Sequence, residues 1–251
     1  DQSKVGFGKR KHMIEFGHFT DKGLPNNLHN VPTEKELYKV NSFGYRCPEW
    51  DPMPNGKKNV VILGCSHTFG QGLAEDEHWV HFLSQHNTQR LRYWNLAQPG
   101  SSGDKIVRTL YGSQKVIDPR IIIVCWPDWS RRERLDSDTI NLKGDHESLK
   151  FENDKTDLQN FLKNVFFVHK YAEWNNCKTF HCFAAEPYNE HIEGTLVLRD
   201  QTIMNCYPWW EKYHQRELLS DSIARDGIHC GIRHHERFAE LFLNHLGRKL
   251  K

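Results

Sequence analysis

What this sequence lacks narrows it first. No apolar run approaches the length of a bilayer span, so it offers no candidate for a membrane-crossing helix. Neither sign of charge is in excess. The 34 Lys and Arg residues against 32 Asp and Glu leave a formal net charge of +2. Bulk charge therefore recruits neither nucleic acid nor a membrane surface. The seven cysteines are odd in number and include no C-x-x-C pair. That argues against a disulfide framework and for a reducing compartment. With no signal-peptide pattern at the beginning, the expected location is cytoplasmic. Hydrophobic residues are scarce at 37% of 251 positions. Long polar loops around a single core are expected. There is no internal repeat and no low-complexity tract.

What is present divides in two. Residues 1–57 are polar and rich in Lys, His, Asn, Gly and Pro. They are read as an extension packed on the main domain, with a short helix at 33–38 and an edge strand at 43–46. Pro48, Pro52, Pro54 and Gly56 interrupt regular structure after that. Residues 58–251 form the main domain, in which strand and helix alternate. Strands are expected at 59–63, 92–96, 121–126 and 179–184. Helices are expected at 78–83, 104–114, 158–174, 209–219 and 233–246. Residues 128–157 and 186–205 read as polar insertions, and insertions of that length are often functional. The run Ile121-Ile122-Ile123-Val124-Cys125-Trp126 shows no alternation, so both its faces need cover. Such an order of elements predicts an α/β domain with a parallel sheet between helices.

The stretch Val60-Val61-Ile62-Leu63-Gly64-Cys65-Ser66 organises the rest. An apolar run ending on glycine reads as a buried parallel strand. Ser66 then lies at its carboxyl end, where open α/β sheets gather their ligands. It is either a nucleophile or a helix-capping serine, and this stretch alone does not separate the two. A nucleophile needs a base and the base an orienting acid. Asp226-Gly227-Ile228-His229 supplies both just before the last helix. Alternatively it is an aspartate in a turn and a histidine on a helix shoulder. Gly100, behind Pro99 at the end of the second strand, offers an N–H to the same edge or makes a plain Pro-Gly turn.

Taken together these blocks resemble the SGNH hydrolases, the GDSL-type esterase and lipase superfamily. Gly64-Cys65-Ser66-His67-Thr68 is similar to the family's first block, G-D-S-x-(S/T). The segment from Asn95 to Gly100, with Ser102, matches the second block in spacing, and Asp226 and His229 match the last. The resemblance implies a flavodoxin-like, three-layer α/β/α sandwich. It implies Ser66 as nucleophile, His229 as base and Asp226 as its partner, with the Ser66 and Gly100 N–H groups as oxyanion donors. No cofactor and no metal are expected. Two positions depart from the pattern. Cys65 replaces the usual aspartate, and Pro127 replaces the asparagine that would be a third oxyanion donor.

The function expected from this is ester hydrolysis through an acyl-enzyme, with a small-molecule or carbohydrate O-acyl ester as substrate. An acyltransferase and a non-catalytic binding or structural protein on the same fold are the alternatives. Asp128, Trp129, Ser130, Trp209 and Trp210 are candidate substrate contacts. Arg131, Arg132 and Arg134 are candidates for anion recognition or for a solvated charged loop. The histidines and cysteines near residue 230 show no zinc-motif spacing.

Overall fold

Alternate residues of one strand serve opposite sides of the sheet, and here each side has its own helix pair. The computed structural model describes residues 37–50, 56–86, 90–133, 140–141, 154–184, 202–205, 223–227 and 229–246. The strands of the main sheet are β1 (Lys58–Leu63), β2 (Leu91–Asn95), β3 (Pro119–Trp126), β6 (Lys178–Phe183) and β7 (Thr202–Asn205). A small antiparallel pair, β4 (Arg132–Glu133) and β5 (Ile140–Asn141), lies between β3 and β6 in the chain. The helices are α1 (Ser66–Phe69), α2 (Trp79–Ser84), α3 (Gly103–Ile117), α4 (Asp154–Trp174) and α5 (Ile232–Leu246).

The main sheet is parallel throughout, in the order β2-β1-β3-β6-β7. That is the flavodoxin-like order, with the crossover point between β1 and β3. Val61, Leu63, Ile122, Val124 and Trp126 face α3 and α4, meeting Ile106, Leu110, Phe161, Val165 and Val168. Val60, Ile62, Ile121, Ile123 and Cys125 face the other way, onto Trp79, Val80 and Leu83 of α2 and Phe238 and Phe242 of α5. The result is the expected three-layer α/β/α sandwich. Residues 60–63 of β1 and the middle of β3 are fully buried, and each such aliphatic side chain contributes about 1.5–3 kcal/mol.

Several sequence-based expectations are corrected. Residues 43–46 form no edge strand. Asn41 Oδ1 accepts the N–H groups of Phe43 and Tyr45, and Gly44 has φ +80°, so the chain turns there instead. The insertion expected over 186–205 contains β7, a parallel edge strand whose sequence Thr-Ile-Met-Asn is too short to stand out. Helix α4 starts at Asp154, a turn before Leu158, because polar residues form its first turn. The helix expected at 209–219 and nearly all of the one at 33–38 lie outside the described residues. Among the described residues no helix is long and apolar enough to cross a membrane.

Candidate active site

The carboxyl ends of β1, β2 and β3 open onto one sheet edge, and the turn before α5 closes over it. Ser66 is the first residue of α1, a single turn that leaves β1 after Gly64 and Cys65. Only glycine fits at position 64, since a Cβ there would lie 2.2 Å from Thr68 Oγ1 and 3.1 Å from the Cys125 carbonyl. Cys65 is buried beneath the turn, and burial pushes its thiol above the ordinary range. A thiol held neutral is no rival to the serine.

His229 reaches Ser66 from the opposite side. Its Nε2 lies 2.8 Å from Ser66 Oγ, and its Nδ1 lies 2.5 Å from Asp226 Oδ2. Asp226 Oδ1 also accepts the backbone N–H of His229 at 3.0 Å, so both carboxylate oxygens hold the same residue. Gly227, at φ +71°, makes the tight turn that brings them together. An ionised carboxylate only accepts, which assigns the proton of the neutral ring to Nδ1. Nε2 is then the acceptor for the Ser66 hydroxyl. Asp226 and Ser66 are buried, and the ring of His229 is nearly so. The ring of His67 stands edge-on to that of His229, with centroids 5.1 Å apart.

The loop after β2 is tied to this turn. Asn95 donates from Nδ2 to the Thr68 carbonyl at 3.2 Å and accepts the Ala97 N–H on Oδ1. Gln98 N–H donates to the Gly64 carbonyl at 3.3 Å. Gly100 follows with φ +71°, a conformation that favours glycine. Behind it, Ser102 caps α3 by accepting the Lys105 N–H.

After β3 the geometry differs from what a side-chain donor needs. Pro127 has no N–H and no polar side chain. Asp128 Oδ1 accepts both the N–H and the hydroxyl of Ser130, at 2.8 and 2.6 Å. The only proton of the Ser130 hydroxyl is thereby given to Asp128 in this structure. Trp126 is fully buried, donating from Nε1 to His181 Nδ1 at 3.0 Å, and Trp129 packs partly buried against the core. Arg132 pairs with Asp157 at 2.8 Å. Arg131 borders a small crevice with Pro127, Asp128 and Trp129, and its buried Nη1 makes no hydrogen bond. Trp209, Trp210 and Arg134 lie outside the described residues. Among the described residues, no three His, Cys, Asp or Glu side chains gather as metal ligands.

One residue next to the site escaped the sequence reading. Arg46, 1% exposed, reaches in from residues 37–50 and grips the turn that follows Ser66. It donates to the carbonyls of Phe69 at 3.0 Å, Gly70 at 2.9 Å and Leu73 at 2.8 Å, and to Glu75 at 2.9 Å. The rings of Tyr38 and Phe69 flank its guanidinium. In sequence it is one of the chain's 34 Lys and Arg residues, it lies in a polar stretch, and no periodicity marks it.

No protein-family model and no curated protein matches the sequence. Solved structures do resemble the fold. The psychrotrophic esterase EstA from Pseudoalteromonas sp., in a form inhibited by monoethylphosphonate, is 15% identical with a TM-score of 0.53, over 77% of this chain and 99% of that one. A member of the lipolytic protein G-D-S-L family from Veillonella parvula is 11% identical with a TM-score of 0.53, over 76% and 99%. TesA is 15% identical with a TM-score of 0.52, over 76% and 99%. At these identities the likeness shows the fold.

Proposed function

We propose that this chain, which has the SGNH hydrolase fold, is a serine esterase working through an acyl-enzyme. The observation that carries the reading is the unbroken line from Asp226 through His229 to Ser66 Oγ at hydrogen-bond distances. Its position at the carboxyl edge of a parallel sheet agrees with it. Ser66 Oγ attacks the ester carbonyl while His229 Nε2 takes its proton. Asp226 holds the ring and stabilises the imidazolium. The tetrahedral oxyanion faces the N–H groups of Ser66 and Gly100. The leaving alcohol takes the proton back from Nε2. Water then attacks the acyl-enzyme, with His229 again as base. The aromatic and polar surroundings of the edge, Trp129 and Arg131 among them, favour a carbohydrate O-acyl ester over a long-chain lipid.

A second reading is a non-catalytic binding protein on this fold, and the observation favouring it is Pro127 at the position of a side-chain donor. The two separate on one experiment. Exposure of the intact protein to a fluorophosphonate probe, followed by mass mapping, should label Ser66 and leave Ser66→Ala unlabelled. A phosphonate is the inhibitor in the EstA structure, so the chemistry suits the fold. A wild-type protein that stays unlabelled while correctly folded overturns the esterase and leaves the binding protein.

A further inference from the structure

Residues 38–46 do more than cover the sheet edge. Two turns must keep a fixed relation for Ser66 to meet His229: the one after β1 and the one before α5. The described part of the N-terminal segment touches both paths. On the first, the N–H groups of Gly70 and Gln71 both donate to the Ser66 carbonyl, at 3.0 and 3.1 Å. The peptide that carries the Gly70 carbonyl is in turn held by Arg46, together with its neighbours Phe69 and Leu73. Gly70 has φ +80°, and a Cβ on it would lie 2.5 Å from His78 Cβ and 3.2 Å from Arg46 Nη1, so His78 first and the guanidinium second close the space around this glycine. On the second path, the Tyr38 hydroxyl accepts the Gly72 N–H at 2.7 Å. The Gly72 carbonyl accepts the N–H of Arg225, the residue before Asp226, at 3.1 Å. Arg225 also forms a two-pronged pair with Glu77 of the same turn.

Arg46 is not an ordinary surface cation. It is buried, it sits at the carbonyl end of the one-turn helix that starts at Ser66, and it binds the Phe69 and Leu73 carbonyls while sharing the Gly70 carbonyl with the Leu73 N–H. A helix of four residues has too few internal bonds to hold its own shape. The lock has to come from outside. Lysine could supply the charge, but three hydrogens on one nitrogen do not reproduce a planar fork that serves three carbonyls and a carboxylate.

We infer that Arg46 is a positioning residue of the active site, with Tyr38 as its second anchor: together they fix the Ser66 turn against the Asp226 turn. The inference rests on the esterase reading for its kinetic consequence, though not for its structural one. Arg46 touches no reacting atom. Its effect runs through the Gly70 and Gln71 peptides to Ser66, and through Gly72 and Arg225 to Asp226.

The test compares the full chain with Arg46→Lys and Tyr38→Phe. Active sites are counted by stoichiometric fluorophosphonate labelling, and kcat and KM are then measured per counted site. Amide hydrogen exchange is followed over residues 66–73. In Arg46→Lys we expect nearly full labelling, an almost unchanged KM, and kcat per site lower by about 100-fold, the size of effect that a small misplacement of reacting groups produces. Exchange should quicken at Gly70, Gln71 and Gly72 and stay unchanged in the strands. Tyr38→Phe should move kcat in the same direction by less. A purely structural role would lower the number of counted sites and leave kcat per site as it was, which overturns the inference. If Arg46→Lys fails to fold, Tyr38→Phe decides, and an unchanged kcat and Gly72 exchange in that variant overturns it equally. If the wild type itself takes no label, the esterase reading has failed. Exchange then decides alone: quickening at Gly70 and Gln71 sustains the positioning role, and no change removes it.

Discussion

The turn after β1 and the loop after β3 leave neighbouring strands at the same sheet edge, yet they are built by opposite means. The first is pinned from every side. Arg46 holds three of its carbonyls, Asn95 a fourth, and Arg225 pairs with Glu77 at its far end. The second closes on itself, with Ser130 folded onto Asp128 and proline where a donor would stand. The nucleophile side of the site therefore has its geometry enforced by other elements. On the proposed esterase reading, the oxyanion side would rely on backbone N–H groups from Ser66 and Gly100. On that reading, preorganisation would be concentrated where the attacking atom sits, with little added where charge develops.

The largest blow to that arrangement should come from Gly72→Ala. Gly72 has φ +79°, and a Cβ there would meet Ala224 at 2.8 Å and Asp226 Cγ at 3.0 Å. Relief of the clash must move the Asp226 turn, and His229 moves with it. Esterase turnover should fall by about 100-fold or more, with most of the loss in kcat, since a misaligned base costs transition-state stabilisation. Steady-state kinetics beside a thermal melt check this. A variant that melts like wild type and keeps its kcat would show that the pinned turn tolerates displacement.

Pro127→Asn probes the other side. Removing one oxyanion donor typically costs about 100- to 1000-fold, so restoring one where it was absent should raise the rate, by up to about 100-fold if the amide aims well. Ser130→Ala should stay near wild type, because its hydroxyl proton already belongs to Asp128. The pair of variants is read together on a slow aryl ester. A gain in Pro127→Asn with an unmoved Ser130→Ala sharpens the contrast between the two loops. A folded Pro127→Asn with no gain, and a collapse in Ser130→Ala, would mean that the β3 loop already supplied its donor through Ser130.

The part of this legible in sequence is the part written locally. β1 and β3 announce themselves because both faces are buried over residues 60–63 and 121–126, in which every position is apolar. Ser66, Asp226 and His229 could be singled out because each sits at a fixed offset from a strand or from the last helix. β7 hid inside a stretch read as insertion, since a four-residue edge strand carries no pattern of its own. Arg46 hid for a different reason. Its role depends on carbonyls 23 to 27 residues away, and a long-range contact leaves no trace in local composition. Asn95 belongs to a block that marks the site, but nothing in that block says that its amide binds Thr68.

The smallest effect is the most general, and it asks whether the two halves share one weakness. His78 and His235 stand behind the Ser66 turn, and His181 lies under the β3 end. Each uses Nδ1 to accept from a group that can only donate: the His81 N–H, the Trp79 N–H and the Trp126 indole. Each must therefore be neutral. Burial pushes all three below the ordinary histidine range, His181 to about 4. The unfolded chain takes up its protons near pH 6.5, while the folded chain refuses them. The unfolded state thus binds more protons as pH falls from about 6.5 towards 4, and stability must fall with it. It is fully present above that window, His181 removes up to about 1.4 kcal/mol per pH unit within it, and His78 and His235 add to the loss in the same direction below about pH 6.5. Urea unfolding at a series of pH values gives the slope. His181→Phe should flatten it while lowering stability at neutral pH, because the Trp126 N–H is left unpaired at a cost of about 1–3 kcal/mol. An unchanged slope in that variant would assign the acid sensitivity to His78 and His235, on the nucleophile side alone.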